Sequence, residues 1–210
     1  MRRGSGYPAT SLKRGKAKRS PRIRLTVFCE GGRTEIEYLR QVKLEAQNLL
    51  VDLEGPCGVP ESVVGKAIAH KKRSRRRRRD SFEEADQVWV VFDCDEHSVS
   101  AAISRAKAAG IGVAYSNPCF ELWGLLHFDD HDAPLHHQAL QKLLKMKMPT
   151  YDRYTNKCFD YGQMKHGYVE ADKRAEKMEQ RRILERRPMG NPFTSVYKLV
   201  RLIFDNGKNS

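Results

Sequence analysis

An α/β fold with a mainly parallel central sheet flanked by helices is the class this sequence predicts, and three observations carry the prediction. Two runs rich in β-branched and aromatic residues, Arg22–Cys29 and Val88–Phe92, have strand length and are apolar nearly throughout, as strands buried on both faces are. Segments with apolar residues at helical spacing separate the strands, an order that makes a parallel sheet economical. Both strands then run into acids, Glu30-Gly31-Gly32 after the first and Asp93-Cys94-Asp95-Glu96-His97 after the second. Ligands of open α/β sheets bind outside such carboxyl ends.

The elements follow in order. Residues 1–21 hold Gly, Ser, Pro, Lys and Arg with almost nothing apolar, the composition of a disordered basic arm. The α/β core is expected over 22–128. After the first strand, Thr34–Leu50 carries Leu39, Val42, Ala46, Leu49 and Leu50 on one helix face, with Thr34 placed to cap its start. A weak second strand, Val51-Asp52-Leu53, stops at Gly55-Pro56. Pro60 opens a helix through Val63, Val64, Ala67 and Ile68 that runs into a basic tract. The acid-rich stretch Asp80–Asp86 leads into Val88–Phe92. A helix at Ser100–Ala109 ends at Gly110, and Gly112–Tyr115 is a short strand broken at Ser116-Asn117-Pro118. Phe120–Phe128 is apolar nearly all round and implies a buried helix. Residues 129–210 form a helical appendage, with helices expected at Leu135–Met146, Tyr168–Arg187 and Thr194–Phe204, the last suited to docking back on the sheet. There is no internal repeat.

Charge is distributed in blocks. The chain has 39 Lys and Arg against 26 Asp and Glu, a net +13. Met1–Arg24 holds nine basic residues and no acid, and Lys71, Lys72, Arg73, Arg75, Arg76, Arg77, Arg78 and Arg79 add eight more. Subtracting those 17 leaves the remainder at −4, so a mildly acidic body carries two basic segments. Such a run is either an inert solvated loop or a contact for a polyanion, and its density favours a nucleic-acid or acidic-partner contact. Five cysteines form no CxxC pair. Cys29, Cys94 and Cys119 read as buried free thiols, and the odd count without an apolar leader points to a reducing cytoplasm. No stretch approaches a membrane span.

Carboxylates gathered at one sheet edge repel one another unless a cation lies between them, and a hard oxygen-seeking ion such as Mg²⁺ or Mn²⁺ supplies that charge. Glu30, Asp93 and Asp95 are therefore the expected metal ligands and catalytic groups, against the plainer reading that they cap turns and helices. Glu35 is either an exposed first-turn acid or a support for the site. His97 is either a loop residue or a contact to a phosphate. Asn117 and Glu121, leaving the Gly112 strand at the same edge, either start the buried helix or support the acids. His127 reads as a core histidine. Arg33, Arg153, Lys157 and Lys165 are four candidate cations among which the sequence does not choose. Gly31-Gly32 lacks the spacing of a phosphate-binding loop, so nucleotide binding by the chain is not expected.

The Glu30 and Asp93-x-Asp95 arrangement resembles the Toprim fold of topoisomerases, primases and several nucleases. Val27–Glu35, Phe92–His97, Ser116–Trp123, Leu125–Phe128 and Asn191–Val196, in that order, are together similar to the RloB family over roughly Arg22 to Phe204. That resemblance implies a Toprim-like core and a metal-dependent nuclease cutting DNA or RNA. It also implies a place in prokaryotic restriction-modification or anti-phage loci, as effector of an AAA- or ABC-type ATPase. The alternative is a non-catalytic nucleic-acid-binding or adaptor subunit of a defence complex, and self-association is left open. Glu96 and His97 stand where topoisomerases commonly carry a further acid, which argues against strand passage or primer synthesis.

Overall fold

Residues 23–46, 49–77, 86–94, 99–155 and 157–207 are described by a computed structural model. Their strands are β1 (Arg24–Cys29), β2 (Leu50–Glu54), β3 (Gln87–Asp93), β4 (Gly112–Asn117) and β5 (Phe193–Thr194). They form one sheet in the order β2-β1-β3-β4-β5, parallel except for β5, which pairs antiparallel with β4. The helices are α1 (Thr34–Glu45), α2 (Pro60–Arg77), α3 (Ser100–Ala108), α4 (Glu121–Leu126), α5 (His137–Lys147), α6 (Tyr161–Met164), α7 (Tyr168–Leu184) and α8 (Val196–Gly207). The expected α/β class with a mainly parallel sheet is what forms.

Strand side chains alternate between two packed layers, as the pleat requires. Leu25, Val27 and Cys29 of β1 face α1, α4 and α8, while Phe28 and β3's Val88, Val90 and Phe92 face α2 and α3. Each fully buried Leu or Val contributes about 1.5–3 kcal/mol. The side chains of α8 (Val196, Leu199, Val200, Ile203) join the same cluster as Leu25 and Leu39, and α5 and α7 pack beside α4.

Several boundaries differ from expectation. α1 ends at Glu45 rather than Leu50, because Leu50 pairs with Arg24 and Val51 with Leu25 as the start of β2. Thr34 does not cap α1; the cap position is Arg33, and the Thr34 hydroxyl donates to the Lys157 carbonyl at 2.8 Å. Cys94 is half-buried, whereas Cys29 and Cys119 are buried. The expected basic arm, Arg78, Arg79 and most of the acid-rich stretch lie outside the described residues.

The direction of α2 fixes where the basic tract sits. α2 leaves the carboxyl edge of the sheet after β2 and ends at Arg77 before β3 begins, as the crossover of parallel strands demands. Lys71 donates to the Ala109 carbonyl at 2.9 Å and to that of Gly110, which anchors this end beside the start of β4. Lys72, Arg73, Arg75 and Arg76 are exposed there. They stand at the amino edge, one strand length or roughly 20 Å from the acids.

Candidate active site

β1 and β3 are neighbours in register, Cys29 beside Val91, so the residues that follow them emerge side by side. The Glu30 N–H donates to the Val91 carbonyl at 2.9 Å, extending the ladder by one step. The Asp93 N–H donates to Glu30 Oε2 at 3.0 Å. This bond turns the Glu30 carboxylate across the end of the sheet toward β3. Glu35 lies in the first turn of α1 and is buried, and Glu121 opens α4 and is almost wholly buried. Each sits at a helix start, where the backbone dipole favours an acid. Gly31 lets the turn close over Glu35, since a Cβ there would lie 2.6 Å from a Glu35 carboxylate oxygen.

Glu121 accepts hydrogen bonds from the Tyr151 hydroxyl at 2.7 Å and Gln141 Nε2 at 3.3 Å, and Lys157 Nζ lies 3.7 Å from the same oxygen. The loop carrying Lys157 is fastened to α1 through the Thr34 hydroxyl. These partners come from the helical part of the chain, which thereby completes the edge of the sheet.

The electrostatics record the crowding. Asp93 as a residue is partly exposed, but its Oδ1 is buried and has no hydrogen-bond partner. Its carboxyl is held well above the ordinary range by burial, then by the charges of Glu35 and Glu121, against the opposing Phe120 N–H, with Glu30 adding to the rise. Glu35 is raised by burial, with Glu121 and Glu30 adding to it, and a hydrogen bond to its own backbone and Lys157 opposing. Lys157 responds in kind: burial works against its charge, but Glu121, Glu35 and Asp93 outweigh it and hold the ammonium above its usual value. Cys119 and Cys29 are pushed up by burial and by these same acids, so neither is a thiolate nucleophile.

Among the expected residues, Glu30, Asp93, Glu35 and Glu121 converge. Asp95, Glu96 and His97 lie outside the described residues. Asn117 does not join the acids, because its amide donates to the Met189 carbonyl at 2.8 Å and ties β4 to the loop before β5. His127 is the core histidine expected of it, bonded through Nδ1 to the Trp123 carbonyl at 2.8 Å. Of the four candidate cations, Lys157 is at the acids, and Arg153 lines the same cleft of about 470 Å³, whose wall also includes Asp93, Cys119 and His137. Tyr151, Gln141 and His137 were not singled out by sequence, and no local pattern marks them.

A family model described as RloB-like protein matches residues 25–203. The chain belongs to the RloB family. No curated protein and no solved structure matches it. The matched span of this RloB member covers both halves of the site, from Glu30 on β1 to Lys157 in the helical part.

The donor chemistry suits a divalent cation: Glu35, Glu121 and Glu30 each act on the Asp93 carboxyl, one buried oxygen of which lacks a partner. Among the described residues no group of three or more His, Cys, Asp or Glu is already arranged around a common point. Charge and donor type fit the ion, and Asp95, the third expected ligand, lies outside the described residues.

Proposed function

We propose that this RloB protein is a metal-dependent nuclease that hydrolyses phosphodiester bonds of DNA or RNA at the Glu30–Asp93 edge of a Toprim-type core. The observation that carries the reading is the buried, unpartnered Oδ1 of Asp93 beside Glu30, Glu35 and Glu121, with the Asp93 and Glu35 carboxyls pushed up by burial and then by the neighbouring acids. A protein gains nothing in stability from crowding carboxylates in this way, so the arrangement speaks for a ligand that rewards it. Glu30, Asp93 and Asp95 would hold Mg²⁺ or Mn²⁺. When bound, such an ion supplies Lewis-acid stabilisation of phosphoryl charge and a more acidic water. The chain's own groups do the rest. Glu35 is positioned to accept a proton, because burial and its neighbours bring its pKa up from the ordinary carboxylate range. Lys157 and Arg153 orient a phosphate over Asp93, and Tyr151 and Gln141 hold Glu121 so that Lys157 has a fixed counter-charge.

RloB membership supports a role in prokaryotic anti-phage defence, with an AAA- or ABC-type ATPase as partner that releases or switches on the nuclease. The exposed cations Lys72, Arg73, Arg75 and Arg76 would then engage nucleic acid or an acidic partner surface at the opposite edge of the sheet, positioning without reading sequence. A non-catalytic adaptor is the competing reading, favoured by Lys157, which already counters part of the acid charge.

The discriminating experiment incubates the protein with DNA and with RNA in Mg²⁺ or Mn²⁺, with and without the ATPase. Cleavage lost in both Glu30→Gln and Asp93→Asn supports the nuclease. Cleavage that survives in the two variants removes it, and no cleavage under any condition favours the adaptor.

A further inference from the structure

The cleft over Asp93 does not end at Lys157. Arg153, Tyr154 and Gln141 line it and also line a second hollow of about 310 Å³ that continues past Tyr151 to Lys142 and Lys145. Arg153 and Tyr154 form the ridge between the two. Tyr154 is 76% exposed. Its backbone is nonetheless held in a turn, because Asp152 Oδ1 accepts from the Tyr154 N–H at 2.9 Å, the Thr155 N–H at 3.0 Å and the Thr155 hydroxyl at 3.1 Å. The Arg153 guanidinium lies 4.4 Å from the ring centre on one face and also reaches the Tyr154 hydroxyl, and the 76% exposure leaves the opposite face accessible.

A lone exposed tyrosine is ordinary surface. This one differs in three ways: a turn holds it, a cation backs it, and it divides two hollows that each carry Lys or Arg. An aromatic ring between two hollows that each offer Lys or Arg side chains matches the demand of a nucleotide strand, with a phosphate in each hollow and a base between them. In a duplex the base faces are occupied by their neighbours and cannot reach such a ring without first being unstacked.

We infer that the Arg153–Tyr154 ridge is a stacking platform for one unpaired base, which makes the substrate single-stranded or locally unpaired DNA or RNA. The inference rests on the nuclease reading of the Asp93 cleft and narrows its substrate. The base next to the phosphate held by Lys157 lies on the open face of Tyr154, and the strand continues over Lys142. Cations there accept any sequence, and the ring accepts any base.

The test uses the full chain in EDTA at fixed salt, so that binding is read without cleavage. A short oligonucleotide carries 2-aminopurine at each position in turn, single-stranded or in duplex. The expected result is quenching at a restricted position of the single strand. Tyr154→Ala should abolish it or move its half-saturation by about 5- to 150-fold, and Tyr154→Phe should retain it. Quenching that survives Tyr154→Ala, or duplex and single strand quenched alike, overturns the inference. Its failure separates from that of the nuclease reading. Metal-dependent cleavage by Tyr154→Ala with unchanged kcat/KM on single strands leaves the nuclease standing without the platform. Quenching that depends on Tyr154, without any cleavage, leaves the platform standing without the nuclease.

Discussion

Replacing Asp93 by asparagine should stabilise this protein while abolishing the proposed cleavage. The wild-type carboxyl keeps one hydrogen bond, from the Phe120 N–H, and leaves Oδ1 buried without a partner. An amide keeps an oxygen for Phe120 and places N–H donors near Glu35, Glu121 and Glu30, the acids that raise Asp93 in the wild type. Removing an unsatisfied buried polar atom is worth about 1–3 kcal/mol. Some of that is spent in orienting the amide, so a gain of about 1–2 kcal/mol is expected, or about 2–8 °C in Tm for a chain of this size. The gain depends on pH with a definite sign. The folded carboxyl sits above its unfolded value near 3.9, so the wild type loses stability as pH rises from about 4 through the folded value. The advantage of asparagine should therefore vanish below about pH 4 and grow toward neutrality. Thermal melts in EDTA across that range measure it directly. Addition of Mg²⁺ should reverse the order, because only the wild type gains binding free energy. An asparagine variant that melts at or below the wild type near neutral pH, in EDTA, would refute the account of a strained carboxylate.

His127 should give the opposite slope: burial, with Arg174 adding and the Trp123 bond opposing, takes it from 6.5 to about 4. Stability should fall by up to about 3 kcal/mol as pH drops through that interval, and urea midpoints of His127→Phe should lack this component. Lys157→Met should tighten divalent-ion binding, read by titration calorimetry, because it removes the cation facing Glu121, Glu35 and Asp93; cleavage should fall even so. Gly167→Ala should cost about 2 kcal/mol or more in a chemical melt, since a Cβ would lie 2.2 Å from the His127 carbonyl oxygen and backbone cannot give way as a side chain would. Gly31→Ala should leave stability within about 1 kcal/mol but lower activity, because the Glu35 carboxylate tip moves and the fold does not.

What the sequence made legible was whatever local pattern determines. β1 and β3 are apolar over their length because both faces are covered, and their acids follow directly, so the strand ends and the carboxylates could be read together. Leu49 and Leu50 show where periodicity misleads. They extend the apolar stripe of α1, yet Leu50 pairs with Arg24, and the ladder with β1 outweighs helical spacing. β5 had no local signal at all. Two residues become a strand because Ser116 and Thr194 hydroxyls meet at 2.9 Å and Ser195 Oγ accepts from the Tyr115 N–H at 3.0 Å, contacts about 80 residues apart in sequence.

The same distinction divides the site. Glu30 and Asp93 are placed by strands that end where they begin, but Lys157, Tyr151 and Gln141 reach Glu121 across sequence gaps of 36, 30 and 20 residues, on segments whose own patterns say only helix or loop. Four cations looked equivalent until the Thr34 hydroxyl took the Lys157 carbonyl and brought that loop to the sheet. The basic tract is the converse case: its residues were plain, and its position was not. Because α2 must run back along parallel strands, the end of α2 that begins the tract is carried to the amino edge, away from the acids. In the proposed nuclease, cations acting on the scissile phosphate would instead come from the helical part of the chain, where Arg153 and Lys157 line the cleft. On the proposed reading, polyanion attraction and phosphate chemistry would occupy opposite ends of one sheet. Neutralising Lys72, Arg73, Arg75 and Arg76 should flatten the salt dependence of nucleic-acid binding and leave turnover of a short bound strand unchanged.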